Sequence, residues 1–222
     1  MTRLVVKCGG AVAEGAARRV LDLVSEGHEV CVVHGAGAQI SAQMERFGLE
    51  VQFVGGRRVT TPAALTIVRS SLAQVNRAFC DAIGERAVAL YGHEIGLYAV
   101  EIPALGLVGD PLPCRPAAVL AALAEDKVPV VAPLAVGPLN VNADEAAAAL
   151  AVGLRADRIL FVSDVPGVLR HDSVVQTLST READRLLVAG ELDGGIVPKL
   201  RAALVAARSG VQAEIGETAV VA

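Results

Sequence analysis

At 222 residues the chain is one large domain or two intimate lobes, and a hydrophobic fraction of 53%, mostly Ala, Val and Leu, supplies a sizeable core. A net charge of −4, no Trp and only six Phe and Tyr give no reason to expect nucleic acid or an acidic membrane surface as a partner. Basic residues are written almost entirely as Arg, seventeen against three Lys, so the places where Lys survives carry information.

Met1-Thr2-Arg3 runs directly into a strand-like segment with no signal-peptide pattern, which points to the cytoplasm. The first strand, Leu4–Val6, ends in Lys7-Cys8-Gly9-Gly10. Glycines directly after a buried strand let backbone N–H groups approach an anion, and a compact ammonium beside them suits phosphate. A helix over Ala13–Glu26 leads to a strand over Val30–Val33, which ends in His34-Gly35-Ala36-Gly37 before a helix over Ala38–Phe47. The glycines start a dinucleotide fingerprint, but Ile40 stands where the third glycine belongs and no acidic residue follows the second strand end. An anion-binding junction remains; a nicotinamide site does not. His34 has two readings, a catalytic group or a hydrogen-bonding partner of the loop backbone, and the second is the commoner.

Gly55-Gly56-Arg57-Arg58-Val59-Thr60 follows, and a guanidinium beside glycines suits bidentate carboxylate recognition. Neighbours on a strand point opposite ways, which sends one Arg into a site and the other into solvent. Thr61 before Pro62 caps a long helix over Pro62–Glu85, with Leu65, Val68, Leu72, Val75 and Phe79 as its core stripe and length enough to reach a subunit interface. After a strand over Val88–Tyr91, the rhythm breaks: Ile95–Pro113 reads as a hairpin or flap with its turn signal at Gly109-Asp110-Pro111. A helix over Pro116–Glu125, Lys127 on a solvated turn and a strand over Val128–Ala132 come next.

The most specific string is Asn140-Val141-Asn142-Ala143-Asp144, opening a helix over Asp144–Leu154. Alternation puts Asn140, Asn142 and Asp144 on one side; Asp144 suits an N-cap or first-turn position, and the two amides beside it suggest a polar site for a small molecule. The strand Ile159–Val162 ends in Ser163-Asp164-Val165-Pro166-Gly167-Val168-Leu169. Helices over Thr180–Ala189 and Ile196–Ser209 follow, the second preceded by Asp193-Gly194-Gly195 and carrying Lys199 near its start; the last strand of this series is Val211–Ile215. Strand and helix alternate throughout, which predicts an α/β three-layer αβα sandwich with a mostly parallel central sheet. The glycine-rich loops then gather where open α/β sheets bind ligands, outside the carboxyl ends of the strands. The four Cys show no paired spacing and read as free thiols, the four His have no metal-site partner, and no apolar run is long enough to span a bilayer.

Taken in this order, the motifs resemble those of the amino acid kinase family, across nearly the whole chain. Lys7-x-Gly9-Gly10 matches its first loop, His34-Gly35-Ala36-Gly37 resembles its His-Gly-Gly-Gly, and Gly56-Arg57-Arg58-Val59-Thr60 resembles its Gly-Leu-Arg-Val-Thr. Asn140–Asp144 matches outright, and Ser163–Val168 with Gly194–Lys199 match nucleotide-side elements. Arg58 with Asn140–Asp144 points to the acetylglutamate branch.

The resemblance implies a carbamate kinase-like fold in a single domain, residues 1–222. A lobe to about residue 135 would bind the acid and dimerise, and a lobe over about 136–222 would bind nucleotide. It implies transfer of phosphate from ATP, with Mg²⁺ on the nucleotide, to the γ-carboxylate of N-acetyl-L-glutamate, the second step of arginine synthesis. Lys7 and Lys199 would stabilise the transferring group, with Asp144 orienting both. Gly35, Ala36, Gly37, Arg58, Asn140 and Asn142 would hold the acid. Gly9, Gly10, Asp164, Val165, Pro166, Gly167, Val168, Leu169 and Gly195 would serve the nucleotide, with no metal site in the protein itself. Ala36 in place of a glycine is expected to weaken affinity if that position needs positive φ or close approach. No helix separates Val211–Ile215 from the terminal Gly216–Val221 segment, which implies a trimmed nucleotide lobe. The absence of a leading helix implies a homodimer insensitive to arginine. The alternatives are a kinase for a related or carrier-bound carboxylate, or a catalytically weak sensor on the same fold.

Overall fold

The computed structural model describes residues 1–9, 13–162, 165–170 and 173–222. In chain order it runs β1 (Arg3–Cys8), α1 (Ala13–Ser25), β2 (Glu29–His34), α2 (Gly37–Arg46), the hairpin β3 (Phe53–Val54) and β4 (Arg57–Arg58), then α3 (Pro62–Ile83) and β5 (Ala87–Tyr91). The flap hairpin β6 (Ala99–Glu101) and β7 (Gly109–Pro111) precedes α4 (Ala117–Ala124), β8 (Val128–Ala132), a second small hairpin β9 (Leu134–Ala135) and β10 (Leu139–Asn140), and α5 (Ala143–Gly153). The last part holds β11 (Arg158–Val162), the pair β12 (Leu169–Arg170) and β13 (Ser173–Val174), β14 (Thr177–Ser179), α6 (Thr180–Ala189), α7 (Ile196–Arg208), β15 (Gln212–Ile215) and β16 (Thr218–Val221).

Eight strands form one sheet in the order β14-β16-β15-β11-β1-β2-β8-β5, parallel except between β15 and β16. Period-two alternation sorts the side chains between two cores. Leu4, Val6 and Cys8 of β1 face α1, α2 and α3, while Val5 faces the layer of α4, α5, α6 and α7. The three-layer α/β sandwich read from the sequence is therefore present. β1 is its centre: the chain leaves it towards β2, β8 and β5 on one side, and strands after residue 157 fill the other side. That reversal is a topological switch point, where a crevice opens at the carboxyl ends of the strands, and Lys7 stands at that end of β1.

Several local features differ from the sequence reading, each for a physical reason. The flap is a hairpin, but Gly109-Asp110-Pro111 is its second strand, pairing Gly109 with Glu101 and Pro111 with Ala99. The chain reverses instead through the 3-10 turn Pro103–Leu105. The Pro62 helix ends at Ile83 because Gly84 takes φ 80°, and Thr61 caps its start by accepting from Ala64 N at 3.2 Å. Lys127 is half-buried and donates to Glu85 O at 3.0 Å, tying the turn after α4 to the end of α3. Strand β5 is apolar yet only partly covered, because it is the edge of the sheet. The helix missing between β15 and β16 is replaced by a two-residue turn, Gly216-Glu217, where Gly216 takes φ 55° and a Cβ would collide with the Pro166 carbonyl. Strand β14 has no sequence signature: three residues pair in parallel with β16 from some forty positions later. The four cysteines are free, Cys8 and Cys31 buried and the other two half-buried. Among the described residues no helix is long and apolar enough to cross a membrane.

Candidate active site

A cavity of about 170 Å³ opens at the switch point, lined by Lys7, Gly35, Ala36, Gly37, Arg58, Asn140, Asn142 and Asp144. Two of the three residues assigned to catalysis and all six assigned to acid binding thus meet in one place. They come from β1, the β2–α2 junction, β4, β10 and the start of α5.

Lys7 is an odd-numbered residue of β1, on the same face as Val5, so its side chain runs towards α5. Its ammonium pairs with Asp144 Oδ1 at 2.9 Å, with both side chains less than a tenth exposed. Asp144 is not the N-cap of α5. That place belongs to Asn142, whose Oδ1 accepts from Asp144 N at 2.8 Å and Glu145 N at 3.2 Å. The capping pattern explains the second asparagine, and it frees the Asp144 carboxylate to face Lys7. An ammonium beside the positive end of a helix is unfavourable; Asp144 and Glu145 in the first turn offset that field.

Arg58 is buried, and its guanidinium is fixed on three sides. Nη2 donates to Gly37 O at 3.0 Å and Ser41 Oγ at 2.8 Å, Nη1 approaches Met44 Sδ at 3.4 Å, and the Phe53 ring lies 4.5 Å from the guanidinium carbon. Burial lowers its pKa from the usual arginine value. Phe53 was not singled out in the sequence, although a signal exists: Gly55 and Gly56 take φ 59° and 84°, a two-residue hairpin turn, and such a turn places Phe53 opposite Arg58. Asn140 donates through Nδ2 to Thr60 Oγ1 at 2.9 Å, and Thr60 Oγ1 in turn donates to Arg58 O at 2.8 Å. Thr60 is buried and links two site residues that sequence alone leaves separate.

Arg57 is not a solvated neighbour. Its Nε donates to both carboxylate oxygens of Glu145, at 3.1 and 2.9 Å, and Nη2 pairs with Asp110 Oδ1 at 2.8 Å. Burial pushes the Glu145 carboxyl up from its ordinary value, against the opposing pull of Arg57.

The β2–α2 junction is built for approach rather than capping. Gly35 N donates to Cys8 O at 2.9 Å, extending the ladder between β2 and β1 past the strand end. Helix α2 then starts at Gly37 behind Ala36 with no side-chain cap, so its first turn faces the cavity. Ala36 sits at φ −140° and is buried, so its methyl group meets no backbone demand for glycine. His34 lies beneath this junction, fully buried, stacked on Phe79 at 5.7 Å and bonded to Asn76. Asn76 Nδ2 also donates to Val130 O at 2.9 Å, which leaves its second hydrogen for His34 Nε2 at 3.1 Å. Burial pulls the imidazole down to about 4, against the opposing pull of a hydrogen bond with the Gly35 backbone, so His34 is neutral and anchors the loop both through that backbone and through Asn76 of α3.

The described residues assigned to the nucleotide do not line this cavity. Gly10 and Asp164 fall outside the described residues. Gly9 is half-buried at the end of β1. Val165 is half-buried, Pro166 and Leu169 are exposed, and Gly167 is buried. Val168 is fully buried, its N–H donates to Thr218 Oγ1 at 2.8 Å and its carbonyl accepts from Val175 N at 2.9 Å. Both backbone groups of Val168 are therefore committed, and its contribution is to pack and hold this loop. Gly195 precedes α7, and Lys199 Nζ donates back to Gly195 O at 3.1 Å. Lys199 does not line the cavity, but Pro198 beside it packs on Gly56, the turn of the β3–β4 hairpin, whose carbonyl accepts from Asn142 Nδ2 at 3.0 Å. The first turn of α7 thus abuts the rim of the cavity.

The family model for the amino acid kinases matches residues 2–216. The acetylglutamate kinase of Rubrobacter xylanophilus is 42% identical to this chain, over 97% of it and 88% of the relative. That of Roseiflexus castenholzii is 39% identical, over 95% of this chain and 87% of the relative. Among solved structures, smu.665 from Streptococcus mutans superposes with a TM-score of 0.89 at 24% identity, covering 99% of this chain and 98% of the other. Carbamate kinase from Giardia superposes with a TM-score of 0.73 at 15% identity, again over nearly the full length of both. At those identities the two superpositions speak to fold.

Proposed function

The chain belongs to the amino acid kinase family, and from that premise we propose that it phosphorylates the γ-carboxylate of N-acetyl-L-glutamate with ATP, the second step of arginine biosynthesis. The observation that carries the reading is the buried Lys7–Asp144 pair in one cavity with Arg58 and Asn140.

The acceptor is a carboxylate with an ordinary pKa near ~4.3, so it is already ionised at neutral pH and needs no general base. A neutral, buried His34 fits that chemistry. The difficulty is to bring one anion onto another, and the remedy is positioning with charge neutralisation. Lys7 supplies positive charge from the central strand, and Lys199 supplies it from the first turn of α7. Asp144 orients the ammonium of Lys7 and offsets the repulsion between the two lysines. Arg58 takes the α-carboxylate of the acid, held in place by Phe53, Ser41 and Gly37. Asn140, whose amide nitrogen is committed to Thr60, offers its Oδ1 to the acetylamino group, and the first turn of α2 at Ala36-Gly37 holds the reacting end. Asn142 shapes this wall as the cap of α5.

The nucleotide lies over the loops after β1 and β11 and the start of α7, that is Gly9-Gly10, Asp164–Leu169 and Gly195, with Mg²⁺ carried on its phosphates. Residues up to about 135 form the acid-binding lobe and those from about 136 the nucleotide lobe. The active form is a homodimer, joined in part through α3.

Trapping the acyl phosphate with hydroxylamine, in the presence of MgATP and a panel of carboxylic acids, tests the reading. N-acetyl-L-glutamate should give hydroxamate at a rate well above glutamate, aspartate and N-acetylaspartate. A faster response to another acid would reassign the substrate, and no response to any acid would favour a sensor on this fold.

A further inference from the structure

Arg57 is adjacent to Arg58 in β4, and its partner Glu145 is adjacent to Asp144 in α5. One guanidinium fork therefore joins the backbone units that carry two residues of the site, and its other arm reaches Asp110 in the flap. β4 itself is short: it is two residues long, and its ladder partner is the equally short β3. Within the flap arm Val108 and Gly109 are buried, whereas Asp110 is exposed and Pro111 half-buried. A second cavity, of about 270 Å³, lies behind it, walled by Asp110, Pro111, Ala148, Ala202 and Val205, so continuous packing does not hold the arm against α5 and α7 there. The turn end of the flap is anchored by backbone bonds, Thr60 N to Leu105 O at 2.9 Å, Leu107 N to Thr60 O at 2.8 Å and Asn140 N to Leu107 O at 2.9 Å. Further along the second arm, at Asp110, the Arg57 fork is the ion pair that ties the arm to β4 among the described residues. Val108 of the flap lines the substrate cavity, so the position of the arm matters to what the cavity holds.

We propose that Arg57 is a positioning residue for the acceptor acid: it clamps β4 and the flap arm onto the first turn of α5 and so sets where Arg58 presents its guanidinium. The two arginines divide one task. Arg58 is drawn towards α2 through Gly37 and Ser41, and Arg57 towards α5 through Glu145, which holds β4 taut between the two helix starts. A planar guanidinium suits this because it can serve two carboxylates at fixed angles, which an ammonium cannot. The inference rests on the assignment of Arg58 to the acid's carboxylate.

Three variants test it: Arg57→Leu, Asp110→Asn and Arg57→Lys. Hydrogen–deuterium exchange on the substrate-free protein reads the clamp without reference to activity. Amides of residues 107–111 should exchange at least about 10-fold faster in Arg57→Leu and in Asp110→Asn than in the natural chain. Calorimetry reads the positioning: the Kd for N-acetyl-L-glutamate should rise at least about 5-fold in Arg57→Leu, with the Kd for ATP within about 2-fold and part of the loss recovered in Arg57→Lys. Unchanged exchange in Arg57→Leu overturns the clamp, and an equal rise in both Kd values, as a general loss of structure would give, overturns the positioning. Failure of the natural chain to bind N-acetyl-L-glutamate at all would sink the functional reading and the positioning with it, while the exchange data would still decide the clamp.

Discussion

Lys7 and Asp144 face each other at 2.9 Å in a place that water scarcely reaches. A buried ion pair gives little net stability, but unpairing one costs about 3–5 kcal/mol, because the remaining charge is stranded. Lys7→Met should therefore lose about that much unfolding free energy in urea titration, whereas Lys7→Met combined with Asp144→Asn should regain most of it. Neither variant should form acyl phosphate. Equal stability of the two variants would contradict a buried, coupled pair. His34 tests the same neighbourhood through pH. Its folded pKa is depressed from 6.5 to about 4, chiefly by burial, so its contribution to stability is complete above 6.5 and is lost as pH falls towards 4. At pH 5 the natural chain should have lost about 2 kcal/mol more than a His34→Gln variant, relative to neutral pH. Parallel pH profiles would mean that His34 is not held neutral. At this scale the lysine count was a partial guide. It led to Lys7 and Lys199, but Lys127, which looked idle, ties two elements together through the Glu85 carbonyl. Strand alternation sends the two guanidiniums to different partners, Arg58 to α2 and Arg57 to α5, but it does not send Arg57 into solvent, since both line the same cavity. It could not supply Glu145 and Asp110, which lie 88 and 53 positions further along the chain and meet Arg57 only in the folded state.

The start of α5 shows how an element converts a string of polar residues into a site. Asn142 caps the helix, and through Nδ2 it also holds the Gly56 turn of the β3–β4 hairpin. Asn142→Ala should cost about 1–2 kcal/mol, at the upper end for a cap because the tether goes with it. Thermal or urea unfolding checks this, and a loss below a few tenths would count against the assignment. Alternation along Asn140–Asp144 placed three polar side chains together, and all three line the cavity. Of the two places that suit it, Asp144 takes the first turn and the cap falls to Asn142, because a cap is fixed by which side-chain oxygen reaches the free N–H groups, which residue type alone does not decide. The flap shows a different limit. Gly-Asp-Pro reads as a turn from local preference, yet Gly109–Pro111 extends along Ala99–Glu101, where a neighbouring strand overrides that preference. Strand β14 was illegible for the same reason: its three residues become a strand only against β16.

The whole molecule places these parts by topology. The sheet grows from β1 in both directions, so the strand with Lys7 is central and the crevice at its carboxyl end is shared by both halves of the chain. Alternating apolar runs made this architecture legible before any tertiary contact was known, since buried parallel strands and covering helices leave strong periodic signals. The order of the strands was not legible, because pairing partners of similar composition are interchangeable in sequence. Lys199 lies at the seam: α7 belongs to the later half, and its first turn packs on Gly56 of the earlier half through Pro198. On the proposed reading, phosphate passes to a carboxylate between charges from the two halves. Its most direct test is the rate of hydroxamate formation from N-acetyl-L-glutamate and MgATP in the natural chain and in Lys199→Ala, with folding checked by circular dichroism. The predicted result is robust turnover in the natural chain and a kcat at least ~100-fold lower in a fully folded Lys199→Ala, the scale of losing one preorganised charge. Near-normal turnover in that variant would remove Lys199 from the transfer step.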